Sequence, residues 1–281
     1  MLTIIGAGLY RSQLTHEAED AIKSADIVYV ETYTSPKSSW IVETARQLNS
    51  NVRVSDRHLL EDMSREVIEL ARTNNVAIVT PGDPMIATTH SSLVVEAKTR
   101  GIDVRLINGV SGPCSVVSVS GLHFYKFGRT VTIPGKWRGV GARYVVEGLL
   151  GNLCMGMHTL LLLDVDERGN TLSPHDAAAS LVKEFSAHFD PHLINDLLIL
   201  LISLNEVGPV TYYTTAGGLQ AHPLPQVDVG SLVVPAALHV SEREFLHYMY
   251  GVPAELLEAH NLAVRKLSPC DLYRAIASEG S

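Results

Sequence analysis

A carboxylate set between two prolines is the first feature of this sequence that invites chemistry. Asp83 lies in Thr80-Pro81-Gly82-Asp83-Pro84-Met85-Ile86-Ala87-Thr88-Thr89-His90, where the prolines and the glycine stiffen the turn. Held there, it can accept hydrogen bonds from a ligand's hydroxyls or amine, or face a positive charge. It can equally cap its own turn, and the local sequence leaves these two readings even. The turn follows Val76-Ala77-Ile78-Val79, a β-branched run that reads as a buried strand, and precedes an amphipathic helix over Ser91 to Arg100. It therefore sits at the carboxyl end of a strand, where open α/β sheets bind ligands.

Other candidates are more ambiguous. Gly6-Ala7-Gly8 after a first strand, with Glu31 ending a second, suggests a dinucleotide fingerprint. Residue 11 should then be the third glycine, and it is Arg11, which would obstruct close helix–strand packing. Gly109-Val110-Ser111-Gly112-Pro113 nearly spells a nucleophile elbow, but proline takes the last glycine position and no matching His and acid can be placed. Its small residues instead let a ligand approach the backbone, or let the next helix pack closely. Thr34 and Ser35 offer two hydroxyls at the exit of the second strand. Of twelve histidines, His188 and His192 are four apart but separated by Pro191, which spoils a helical metal pair. His90, His123 and His158 sit at the edges of loops expected to face a ligand, either orienting it or simply serving the core. Tyr125, Lys126 and Phe127 are open in the same way between packing and acceptor contact.

Alternating elements position these groups. Strands are expected at Leu2–Ile5, Ile27–Val30, Val52–Val54, Val76–Val79 and Ile102–Ile107, with helices between them and Thr15 as an N-cap. Such alternation means a parallel sheet with helices on both faces. Gly121–Gly128 has neither period and reads as a hinge. The pattern restarts with strands at Thr130–Ile133, Thr159–Leu163, Leu197–Ser203, Val210–Thr215 and Ser231–Val234, the last three without long helices between them, so the second sheet is expected to be mixed. A glycine-rich loop spans Gly135–Gly141. Ser173-Pro174 opens a helix, and Ser241-Glu242-Arg243-Glu244 reads as a capping box before a helix stopped by Gly251. The ligand site is expected in the cleft between the two domains.

With 46% hydrophobic and 19% charged residues, the chain has material for a well-filled core, and disorder is disfavoured. A formal net charge of −8 argues against general nucleic-acid binding. Cys114, Cys154 and Cys270 are too far apart for CxxC chemistry and read as reduced thiols of a cytoplasmic protein. The start reads as a strand rather than a signal peptide. The most apolar run, Leu197 to Leu204, is far short of the ~20 residues of a membrane span.

Taken together these segments resemble the archaeal-type diphthine synthases of the tetrapyrrole methylase superfamily. The carriers are Gly6-Ala7-Gly8-Leu9-Tyr10, Glu31-Thr32-Tyr33-Thr34-Ser35, Thr80 through His90, Ser120-Gly121-Leu122-His123-Phe124-Tyr125-Lys126-Phe127-Gly128 and Met157-His158-Thr159-Leu160-Leu161-Leu162-Leu163-Asp164. The resemblance implies a two-domain α/β fold, residues 1–126 and 127–281, with a parallel first sheet and a mixed second one. It further implies a homodimer, and S-adenosylmethionine in the interdomain cleft with no metal. By motif position the ligand shell would be Leu9, Asp83, Ile86, Ser111, Gly112 and Leu163, with Leu204 and Gly230 from the looser second half. The sequence departs from the family at Gly112-Pro113 and at Leu204-Asn205-Glu206. The implied reaction is repeated methylation of the amino group of a modified histidine, the diphthamide precursor, in translation elongation factor 2. No residue is marked as the proton acceptor. The rival readings are a corrin or porphyrin precursor methylase of the same fold, a nicotinamide-dependent oxidoreductase, and a non-catalytic binder of the factor.

Overall fold

Leu2-Thr3-Ile4-Ile5-Gly6 is buried at every position, as a strand covered on both faces must be. It begins the first of two sheets in the computed structural model, which describes residues 1–33, 39–166 and 169–278. β1 (Leu2–Gly6), α1 (His16–Ser24), β2 (Ile27–Glu31), α2 (Ser39–Leu48), β3 (Val52–Ser55), α3 (Ser64–Leu70), β4 (Val76–Thr80), α4 (Ser91–Thr99), β5 (Val104–Ile107) and α5 (Gly112–Val119) alternate as the sequence requires. The strands lie in the order β3-β2-β4-β1-β5, all parallel. Successive residues of each strand feed opposite cores: Ile4, Tyr29 and Ile78 pack with Val67 and Leu93, whereas Ile5, Val28 and Val79 pack with Ile22 and Ile41. Thr15 caps α1, its Oγ1 accepting from the Ala18 N–H at 3.1 Å.

The second sheet follows with β6 (Val131–Ile133), α6 (Arg143–Cys154), β7 (Thr159–Leu163), α7 (Pro174–His188), β8 (Leu198–Ser203), β9 (Val210–Thr215), β10 (Gly230–Val234), α8 (Val240–Tyr250), α9 (Ala254–Lys266) and α10 (Pro269–Ser278). Its order is β6-β7-β10-β8-β9; β6 and β7 are parallel and the other pairs antiparallel, so the sheet is mixed as expected. The chain divides into two units, one of Met1–Ser115 and one of Val116–Asp166 resuming at Thr171, the division falling inside α5.

Three expectations change. Cys154 and Cys270 are joined in a disulfide, so only Cys114 of the three is a free thiol. Spacing along the chain hid this pairing, because α6 and α10 bring together residues 116 apart. The capping box forms two residues before Ser241-Glu242-Arg243-Glu244, with His239 as N-cap and Glu242 as its reciprocal partner. Finally, α9 and α10 extend the chain beyond the last expected helix; α9 follows Pro253 with no side-chain cap to announce it.

Candidate functional site at the ends of the parallel strands

β1 and β4 are neighbours whose following helices cover opposite faces, α1 with Ile5 and Val79, α4 with Ile4 and Ile78. This is a topological switch point, the place where a parallel sheet opens a crevice for ligands. Three loops converge there. The Gly8 N–H donates to Gly82 O at 3.1 Å, and the Gly82 N–H returns to Gly8 O at 2.9 Å, both glycines having positive φ. A Cβ on Gly109 would stand 2.1 Å from Gly82 O, and one on Gly6 would stand 2.5 Å from Gly109 N. These glycines therefore serve loop-to-loop contact and are not a phosphate fingerprint. The Leu9 N–H that a pyrophosphate would take is already bound to Gln13 Oε1 at 2.8 Å, and Arg11 points to Gln47.

Asp83 is 6% exposed and its carboxylate is the hub of this crest. Oδ1 accepts the Met85 N–H at 2.9 Å; Oδ2 accepts Asn108 Nδ2 at 3.0 Å and the Gly109 N–H at 3.2 Å. It thus caps its own turn and ties that turn to the loop after β5. Capping and ligand binding are compatible, because a carboxylate has about four acceptor positions. Leu9 lies over the same crest, its Cδ2 3.6 Å from the Cβ direction of Gly112 and 4.0 Å from that of Gly82. Met85 and Ile86 are exposed beside it. Ser111 Oγ accepts the Cys114 N–H at 3.4 Å where α5 begins, so Gly112-Pro113 starts a helix without a bulky side chain. Leu9, Asp83, Ser111 and Gly112 are brought together, with Ile86 two residues from Pro84 on the same turn.

The second-half candidates share one end of the other sheet. β10 runs antiparallel to β7 and β8, so Gly230 opens its strand where β7 closes at Leu163 and β8 runs out to Leu204. Gly230 pairs with Ser203, and the Leu204 N–H donates to Val229 O at 2.9 Å. Beside Leu163, Asp164 accepts the Gly135 N–H at 3.1 Å and Arg138 Nε at 2.8 Å and Nη2 at 2.9 Å, which fixes the glycine-rich loop. Burial pushes the Asp164 carboxyl up, but Arg138 and the Gly135 N–H outweigh it and hold it low.

The histidines fall mainly to structural roles. His158 and Glu242 are fully buried. Glu242 accepts His158 Nε2 at 2.9 Å, Lys126 Nζ at 2.6 Å and the N–H groups of His123 and His239 at 2.8 and 2.7 Å. Burial alone would raise the Glu242 carboxyl; these donors hold it well below the usual carboxylate range. His158 Nδ1 accepts the Ala236 N–H, which makes the imidazole neutral, and burial pushes its pKa down despite Glu242. Lys126 is thereby committed to packing the Gly121–Gly128 segment against α8, while Phe124 and Tyr125 stay exposed. His123 is a partly exposed neighbour of Ser241. His188 pairs with Glu184 and His192 with Asn195, not with each other. Glu31, a ribose-binding candidate, is buried and faces His90 Nε2 at 3.0 Å. Thr34 and Ser35 lie outside the described residues. Sequence reasoning missed Asn108 as the Asp83 partner, since nothing local marks it. Among the described residues no group of three or more His, Cys, Asp or Glu is arranged for a metal ion, and no helix is long and apolar enough to cross a membrane.

The family model for tetrapyrrole (corrin/porphyrin) methylases matches residues 1–194. A curated diphthine synthase from Aeropyrum pernix is 42% identical over 245 residues, 84% of this chain and 83% of its own length. The crystal structure of a conserved hypothetical protein from Aeropyrum pernix K1 superposes with a TM-score of 0.85 at 36% identity, covering 97% of this chain and 98% of that one. A crystal structure of a diphthine synthase gives 0.79 at 31% identity, covering 92% and 99%.

Proposed function

The chain belongs to the tetrapyrrole methylase family and, within it, to the diphthine synthases, and from that premise we propose that it transfers methyl groups from S-adenosylmethionine to the amino group of the modified histidine of translation elongation factor 2. The observation that carries the reading is similarity to curated diphthine synthases over most of both chains, 42% in one case and 38% over 87% of this chain in a relative from Methanopyrus kandleri. We further propose that it works in the cytoplasm as a homodimer.

The residues present fit such a donor. A Cβ at Gly82 or Gly112 would meet nothing nearer than 3.6 Å, so bare backbone lines the crest there and can meet a ligand closely, and Leu9 adds an apolar surface. Asp83, fixed by three donors, retains acceptor positions for hydroxyls or an ammonium group. Leu9, Asp83, Ile86, Ser111 and Gly112 from the first unit, with Leu163, Leu204 and Gly230 from the second, form the proposed shell. Once bound, the sulfonium supplies an activated methyl group. The chain's own work is then positioning, which can provide most of the acceleration for an in-line displacement. The attacking amine must be neutral, so a proton has to leave between rounds.

The deciding experiment incubates the protein with labelled S-adenosylmethionine and elongation factor 2, either unmodified or carrying the diphthamide precursor. Label on the precursor-bearing factor alone is the expected result. Label on a corrin or porphyrin precursor with the factor absent would favour the rival acceptor, and the absence of any labelled product would reject methyl transfer.

A further inference from the structure

We propose that Asn108 is a further ligand-contacting residue of the donor site: its side-chain amide supplies the hydrogen-bond donor that Asp83 lacks, so that the two together select a ligand with two adjacent polar groups. The proposal rests on the donor site proposed above.

β5 closes at the buried Ile107, and Asn108 is the first residue beyond it, exposed at the carboxyl end of the parallel sheet. The loop it opens runs alongside the Gly82 turn, with Val110 O and Gly112 N 3.8 and 3.9 Å from the Gly82 Cβ direction. Asn108 Nδ2 lies 3.0 Å from Asp83 Oδ2, and the Gly109 N–H reaches the same oxygen at 3.2 Å. A carboxylate only accepts, so the atom facing Asp83 is the amide nitrogen and the amide oxygen is turned away. One N–H of Asn108 is spent on Asp83. Its other N–H and its Oδ1 make no hydrogen bond among the described residues.

The crest does not need this side chain to keep its shape. A Cβ on Gly109 would stand 2.1 Å from Gly82 O, so the two backbones are already seated on each other. The Met85 N–H at 2.9 Å and the Gly109 N–H orient the Asp83 carboxylate from two sides. The exposed amide is a third donor to a group already held.

Its chemistry complements that of Asp83. With Oδ2 taken twice and Oδ1 once, the spare acceptor capacity of Asp83 lies on Oδ1. A carboxylate alone takes only a group that donates. The amide beside it both donates and accepts, so it fits the neighbour of that group. S-Adenosylmethionine carries such a pair in two places, the ribose diol and the amino-acid end, where an ammonium adjoins a carboxylate. In either, the first group donates to Asp83 and the second meets Asn108.

Titration calorimetry of the full chain with S-adenosylhomocysteine, and with 5′-methylthioadenosine, which keeps the ribose and lacks the amino acid, tests this. Asn108→Ala should bind S-adenosylhomocysteine about tenfold more weakly. Methylthioadenosine should weaken alike if the amide meets the ribose, and not at all if it meets the amino acid. In turnover the Michaelis constant for the donor should rise about tenfold with the turnover number unchanged, as for binding lost equally from ground and transition states. Hydrogen exchange at the Met85 and Gly109 amides, read without ligand, should stay at the wild-type rate. Wild-type affinity for S-adenosylhomocysteine in Asn108→Ala overturns the proposal. Weaker binding accompanied by faster exchange at those two amides also overturns it, because Asn108 would then act only by tying Asp83 to its loop. Should the wild-type chain bind no S-adenosylhomocysteine, the donor site itself fails.

Discussion

Asp83 and Glu242 show how one functional group acquires two trades from its donors. Glu242 is saturated by two side chains and two backbone N–H groups, with no exposed surface, and belongs to the packing of the Gly121–Gly128 segment against α8. Asp83 takes two backbone N–H groups and an amide, keeps a little exposure, and stands on the crest of a parallel sheet. Replacing Asp83 by Ala removes a cap and a loop tie, which should lower stability by about 1–3 kcal/mol. Donor affinity per folded molecule should fall by about tenfold or more, because the remaining acceptor positions go too. Calorimetric titration normalised to the folded fraction separates the effects. An unaltered affinity alongside the lower melting temperature would leave Asp83 as a turn cap alone.

At the scale of elements, what was legible followed from local pattern. Buried runs such as Val76-Ala77-Ile78-Val79-Thr80, the Thr15 and Ser173 caps and the Gly251 stop announce themselves within a few residues. What was hidden depended on loops meeting. Gly6 and Gly109 looked like ligand glycines taken singly, yet each is required by the backbone of another loop. Gly109→Ala should therefore cost about 3 kcal/mol and abolish donor binding by parting the three loops. Gly101→Ala, with positive φ but nothing within 4 Å, should cost about 1 kcal/mol and leave binding alone. Equal losses in urea unfolding would refute the close-approach explanation. The disulfide was hidden for the same reason. It ties the end of α6 to the start of α10, whose Ile276 packs into the second core and whose Ile276 carbonyl accepts Arg143. Closing so long a loop is worth up to about 4–5 kcal/mol in the chain-entropy account. Cys270→Ser should lower the melting temperature by about 10 °C. Reductant should do the same to wild type and nothing to the variant; a wild-type melting point indifferent to reductant would mean the thiols are not joined.

For the whole molecule, the mildly acidic charge balance was plain in the composition, but the groups that set its response to acid were not. Sequence reasoning left His158 open between ligand and core and did not single out His260; both are buried and grip the N–H and the carbonyl of Ala236. His260 Nδ1 accepts the Leu198 N–H at 3.0 Å and Nε2 donates to Ala236 O at 3.2 Å, an arrangement open only to the neutral ring. Burial pushes its pKa from 6.5 down to about 4, with the Ala236 carbonyl only partly offsetting it, and His158 is pushed in the same direction. Both folded-state values lie below the unfolded one. Their contribution is thus complete above the ordinary histidine range, and it drains away as pH falls toward the folded values. Glu242, also depressed, adds a loss that begins below its ordinary carboxylate range. All three groups lie in the second unit, whose stability acid therefore draws down through its histidines and then through its buried carboxylate. For His260 the loss between about pH 6.5 and about pH 4 amounts to roughly 3 kcal/mol. His260→Gln can keep an acceptor for Leu198 and a donor for Ala236 without a titrating ring. It should be slightly less stable than wild type near neutrality and decline less steeply toward acid, so that the two stability curves converge. Urea unfolding at a series of pH values measures this directly, and curves that stay parallel would show that the ring is protonated alike in the folded and unfolded chain.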